Sequence, residues 1–154
     1  MQTNPVRFAR SGAEPWSLWV TRYLPIPFLE RGRSFRGCDC RGLALLILEH
    51  QCGIVVPEPA DLYATTDRRA GDQMAALVRA EAARWREVQG DYPIFSLLLF
   101  EVGGLPTHVA LSLGGRRFIH TQKGCGVRVS DLDQAEVGEG RWGARVRGAY
   151  VYDN

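Results

Sequence analysis

The chain has 154 residues, 45% of them hydrophobic and 23% charged, with a formal net charge of +2. That length suits one domain around one core, and the composition excludes disorder over most of the chain. The charge is too mild and the arginines too scattered for a nucleic-acid surface.

No apolar stretch of the secretory kind opens the sequence. The longest apolar run, residues 43–48, is far short of the roughly 20 residues of a membrane span. Synthesis in a cytoplasm, with no membrane insertion, is the expectation. The four cysteines, Cys38, Cys40, Cys52 and Cys125, form no Cys-x-x-Cys pair. Reduced thiols, rather than disulfides or a zinc site, are therefore expected.

Residues 1–15 read as an irregular lead-in punctuated by Pro5, Gly12 and Pro15. Residues 16–23 fit a short helix or a strand, and Pro25 and Pro27 end either. Residues 40–52 read as a buried helix, with Asp39 as N-cap and Gly53 at the C-terminal cap. A loop over 57–71 leads to an amphipathic helix over about 70–88, marked by Met74, Leu77, Val78, Trp85 and Val88. Strands follow at 94–102, 107–113, 117–121, 127–129 and 145–152, with Val146, Tyr150 and Tyr152 on one face. Helices followed by an antiparallel meander give an α+β fold. Residues 1–22 are read as a lead-in and residues 23–154 as the functional domain.

Cys40 opens the buried helix, where free N–H groups and the helix dipole favour a thiolate and can hold an oxyanion. Position alone still favours a buried structural cysteine. The histidines shift that balance. His50, at the far end of the same helix, reads as a C-terminal residue facing the last carbonyls. His108 and His120 fall on neighbouring strands, as a base and its orienting partner would. Side chains alternate along a strand, so the turn between them decides whether they share a face. A two-residue Gly114-Gly115 loop sets His120 opposite Val109, on the wrong face. An odd or bulged turn, such as Gly114-Gly115-Arg116, sets it opposite Ala110 and diagonal to His108.

These segments resemble the NlpC/P60 cysteine peptidases. Gly37-Cys38-Asp39-Cys40-Arg41-Gly42-Leu43 is similar to their Asp-Cys-Ser-Gly-Leu helix start. His108-Val109-Ala110-Leu111-Ser112-Leu113-Gly114 is similar to their His-Val-Gly-Ile-Tyr-Leu-Gly strand, and Arg117-Phe118-Ile119-His120-Thr121 to the strand carrying the third polar residue. The likeness spans residues 23–152. It looks closest to a branch found in phage tails, through Gly-Cys-Asp-Cys, Ala83-Arg84-Trp85-Arg86 as a helix end, and the Arg145-to-Tyr150 strand.

The resemblance implies a papain-like fold, with N-terminal helices packed on the meander. Cys40 would be the nucleophile, His108 its base and His120 the orienting residue, with the Cys40 N–H in the oxyanion hole. Asp39, Arg41 and Phe28 would stand around the oxyanion and substrate positions. The implied substrate is the γ-D-glutamyl–diaminopimelate bond of peptidoglycan stem peptides, and the implied chemistry needs no metal or cofactor. The implied partners are phage tail-tip or hub proteins, and the implied location is the virion tail tip or the periplasm during infection. A structural tail-tip role with little activity, or amide chemistry on a small molecule, are the competing readings. Three departures stand out: Phe28 where the family often has tyrosine, Arg41 in place of serine, and Phe95-Ser96 near the place of a Pro-Gly-Asp turn.

Overall fold

The computed structural model describes residues 16–57, 83–102, 105–136 and 140–153. The expected lead-in over 1–15, the loop after residue 57 and most of the 70–88 helix, with Met74, Leu77 and Val78, lie outside these residues.

The helix at Cys40–Cys52 (α2) has the bounds its sequence dictates. The Asp39 carboxylate accepts from the Gly42 N–H at 2.7 Å. At the other end Gly53 takes φ 69°, and its N–H reaches back to the Glu49 carbonyl. Residues 41–48 are all buried, as a helix apolar on nearly every side requires. The short helix Ser17–Val20 (α1) precedes it, so of the two forms expected for residues 16–23 the helix is found, over four residues flanked by turns. Trp16 and Val20, within the expected lead-in, pack into the same core as Tyr23.

Between the helices two short strands pair, Arg33–Ser34 (β1) and Gly37–Cys38 (β2). The main strands are Trp85–Glu87 (β3), Leu97–Val102 (β4), Leu105–Gly114 (β5), Arg117–Gln122 (β6), Gly126–Asp131 (β7) and Val146–Tyr152 (β10). A two-stranded ribbon, Ala135–Glu136 (β8) with Gly140–Arg141 (β9), and a 3-10 turn at Trp142–Arg145 come between β7 and β10. The sheet order is β3-β10-β4-β5-β6-β7, and every pairing is antiparallel. The architecture is thus α+β, with β4 to β7 as the meander and β10 returning beside β4.

Two features depart from the sequence reading. Trp85–Glu87 is a strand, not a helix end: Trp85 pairs with Tyr152 and Glu87 with Tyr150. The Trp85 ring meets the Tyr152 ring edge-on at 4.9 Å. Long-range pairing has overridden a local helical period. Val146 also does not share a face with Tyr150 and Tyr152. A register shift between Val146 and Gly148 turns it to the opposite side.

The sheet separates two apolar clusters. Val109, Leu111, Leu113 and Ile119 face α2, with Leu43, Leu45 and Ile47. Phe100, Ala110, Phe118 and Trp142 pack on the other face. Among the described residues no helix is long and apolar enough to cross a membrane.

Candidate active site

The turn between β5 and β6 sets the two histidines. Leu111 pairs with Ile119 and Ser112 with Phe118, then the register shifts and Gly114 pairs with Arg117. The turn is thus a Gly115-Arg116 pair, both at positive φ (56° and 74°), above a bulge at Leu113. The three-residue form is replaced by a bulged one, with the same consequence for parity. His108 Nε2 lies 2.8 Å from His120 Nδ1, and both side chains are buried.

The pair is enclosed by aromatic rings. Trp142 stands 5.5 Å from His108 and 5.2 Å from His120 by ring centroids. Phe100, directly opposite His108 on β4, and Phe118 close the remaining sides. The guanidinium of Arg145 sits 3.9 Å over the Trp142 ring, a cation–π contact. Beyond His120, its Nε2 is 2.8 Å from Ser130 Oγ and accepts from Arg128 Nε at 3.3 Å.

Cys40 and His108 line one cavity of about 300 Å³, together with Phe28, Val102, Thr121, Gln122 and Lys123. The His108 Nε2 atom is engaged by His120, which leaves Nδ1 as the other ring nitrogen of a side chain that lines this cavity. The Cys40 sulfur is approached by the backbone N–H groups of Val109 and Arg41.

The other expected site residues divide. Phe28 lines the cavity, held by a parallel bridge to Cys38. Asp39 is fully engaged as a structural clasp: one oxygen caps α2 at Gly42, and the other accepts from the Arg31 N–H at 3.0 Å. Arg41 does not line the cavity. Its side chain is buried, and its bearing on Cys40 is through charge and its backbone N–H. His50 is exposed at the far end of α2, packed edge-on against Phe35.

The charge states correct one expectation. Burial pushes the Cys40 thiol up to about 11, and the neighbouring Asp39 carboxylate adds to the rise. The N–H groups of Val109 and Arg41 and the charge of Arg41 oppose it without winning. Desolvation exceeds what a helix N-terminus returns. Burial likewise holds His108 down to about 3, with Arg128 and Arg145 pushing the same way. His120 is lowered to about 2 by burial, then by His108, Arg128 and Arg145. All three shifts run in one direction, toward a thiol and neutral imidazoles and away from an ion pair.

Those neutral imidazoles set an acid limit on stability. In the unfolded chain they titrate near 6.5, so between about pH 3 and pH 6.5 the unfolded state binds protons that the native state refuses. Their contribution is full above pH 6.5 and is lost as pH falls through that window. Stability is expected to drop by on the order of 2–4 kcal/mol between pH 7 and pH 5. Urea titrations at the two pH values check this, and a flat profile contradicts it. A His120→Asn variant, with one fewer imidazole, should show a shallower slope.

Arg128, Ser130, Trp142 and Arg145 escape the sequence reasoning. The β6–β7 register pairs His120 with Arg128 and Phe118 with Ser130. Extending the 127–129 strand by its alternation would have placed Arg128 and Ser130 on the histidine face. Trp142 and Arg145 carry no local signal, because a 3-10 turn after a two-stranded ribbon brings them there.

The family profile of NlpC/P60 matches residues 26–146. No curated protein matches the chain. Among solved structures, an NlpC/P60 family protein from Bacillus cereus is similar at TM-score 0.58 and 22% identity, over 86% of this chain and 37% of its own. A protein from Staphylococcus aureus described as similar to lipoprotein, NLP/P60 family, gives TM-score 0.53 and 23% identity, over 88% and 39%. The NlpC/p60 domain of the peptidoglycan hydrolase SagA gives TM-score 0.50 and 21% identity, over 97% and 99%. This chain therefore spans less than two fifths of the Bacillus and Staphylococcus proteins and nearly all of the SagA domain. With the profile covering most of its length and the α+β architecture in common, the chain belongs to the NlpC/P60 family.

Proposed function

We propose that this protein is a cysteine hydrolase that cleaves an amide bond of peptidoglycan stem peptides, of the γ-D-glutamyl–diaminopimelate type. The observation that carries the reading is the 2.8 Å His108–His120 contact behind a cavity that His108 shares with Cys40. The likeness to the SagA domain, which comes from a peptidoglycan hydrolase, supports the substrate class.

In this reading Cys40 Sγ attacks the amide carbon while His108 Nδ1 takes the thiol proton. With both groups neutral at rest, transfer and attack run together. The oxyanion is held by the backbone N–H of Cys40 at the start of α2, the Gly42 and Leu43 N–H groups being taken by Asp39. His108 then returns the proton to the leaving amine as the C–N bond breaks, leaving a Cys40 thioester. Water adds to that thioester as His108 takes its proton, and the Cys40 thiol is restored as the acid leaves.

We place the activity in a phage or phage-like tail tip, opening the wall during DNA entry, with hub or tail-tip proteins as partners. The Gly37-to-Cys40 and Arg145-to-Tyr150 segments support that placement by resemblance. A second reading, a structural component with little activity, is favoured by Phe28, which brings no hydroxyl to the cavity. Incubation with purified muropeptides separates the two. The hydrolase reading expects new products from the wild type and none from Cys40→Ala. Identical profiles from both proteins would leave the structural role.

A further inference from the structure

His120 is approached at one atom by two chemically different partners. Its Nε2 lies 2.8 Å from Ser130 Oγ and 3.3 Å from Arg128 Nε. A serine hydroxyl can donate or accept, whereas a guanidinium only donates. The Arg128 N–H therefore requires a lone pair on His120 Nε2. In a neutral imidazole this puts the His120 proton on Nδ1, which donates it across the 2.8 Å contact to His108 Nε2. His108, accepting at Nε2, then carries its own proton on Nδ1. A base that must take the Cys40 proton at Nδ1 needs the opposite tautomer.

We propose that Arg128 is a positioning residue that latches the His108–His120 pair in the tautomer unable to accept the Cys40 proton. The competent tautomer forms when the Arg128 N–H leaves His120 Nε2. His108 Nδ1 then gives up its proton to solvent, the His120 Nδ1 proton passes to His108 Nε2, and His120 Nε2 takes one proton back from solvent. The count is unchanged. Ser130 suits both arrangements, its hydroxyl sharing the one Nε2 lone pair with the Arg128 N–H in the first and accepting from Nε2 in the second.

Three observations support a latch rather than a fixed strut. Arg128 lies on β7, the edge strand of the sheet, where its side chain is only partly buried. Its Nη2 donates to Gln122 Oε1, and Gln122 lines the cavity with Cys40 and His108. A ligand in the cavity thus reaches the residue that anchors the latch. The charges facing the histidines act in the same sense: Arg128 on β7 and Arg145 on the 3-10 turn both oppose an imidazolium. Asp39 and Arg41 act on Cys40 from α2.

The inference rests on the hydrolase reading of Cys40 and His108, but its test does not. Long-range proton–nitrogen NMR on histidine-labelled protein at pH 7 reads which ring nitrogen is protonated. The wild type is expected to show His120 protonated at Nδ1 and His108 at Nδ1. Arg128→Met is expected to move both protons to Nε2 and to raise muropeptide cleavage threefold or more. A wild-type spectrum with the proton on His120 Nε2 overturns the latch without any variant. So does a folded Arg128→Met protein whose tautomers match the wild type. The spectrum needs no substrate, so it decides the latch even where no hydrolysis is found.

Discussion

Replacing His108 with glutamine is expected to lower kcat/KM on a stem peptide by about 10²–10⁴-fold, the range that a positioned acid–base group supplies. The loss should fall on kcat, because the imidazole moves a proton and does little to hold substrate. Glutamine keeps a polar group against the His120 Nδ1 atom that now stands 2.8 Å away. The variant should therefore stay folded, and a native circular dichroism spectrum would confirm it. His120→Gln is expected to cost less, on the order of 10-fold, because it alters the orientation of the base and leaves the base in place. An unchanged kcat in the folded His108→Gln protein would remove the imidazole from the mechanism.

The second large effect lies in the backbone behind Cys40. A Cβ added to Gly42 would stand 1.8 Å from the Gly32 carbonyl oxygen and 3.0 Å from Asp39 Oδ1. The first contact is with backbone, which no rotamer change relieves. The Gly32 loop is itself wedged, since a Cβ there would meet the Gly37 carbonyl oxygen at 2.4 Å. Gly42→Ala must therefore push the start of α2 away from the loop or break the Asp39 clasp. A loss of about 3 kcal/mol or more is expected, a fall of about 6–12 °C in Tm for a chain of this size. Gly53→Ala is the control. It has a positive φ of 69° but nothing within 4 Å, and should cost only about 1 kcal/mol. Equal Tm values for the two variants would show that the close approach at Gly42 is not tight.

The same residues explain why this helix is readable from the sequence. Asp39 and Gly53 act within a few residues of themselves, so the bounds of α2 are local facts. The strands from 97 to 122 are legible for a related reason: apolar alternation and glycine turns are local, and the parity argument needs only one turn. Trp85 shows the limit. Its spacing from Val88 fits a helix, but its partner is Tyr152, far along the chain. Val146 falls on the other face than its spacing suggests, because a bulge leaves no simple mark in the alternation. The charge of Cys40 is hidden for the same physical reason. Helix position is visible in the sequence, whereas the burial that outweighs it is made by residues from the rest of the fold.

Arg41 and Asp39 carry the lesson into the site. Both stand beside Cys40 in sequence, which makes them candidates for contact with substrate. Helix geometry turns Arg41 into the interior and commits both Asp39 oxygens to backbone N–H groups. Arg128 and Ser130, distant in sequence, are the ones that reach the histidines. Contact with the site follows strand register more closely than it follows distance along the chain.

The central claim, that Cys40 is the nucleophile of an acyl-transfer site, is tested most directly by trapping the intermediate. Wild-type protein mixed with a stem-peptide substrate and quenched in acid should give, by mass spectrometry, a thioester on the peptide that contains Cys40. His108→Gln should show no such adduct on the same timescale. An adduct on the exposed Cys125, or products formed with no adduct on Cys40, would contradict the account.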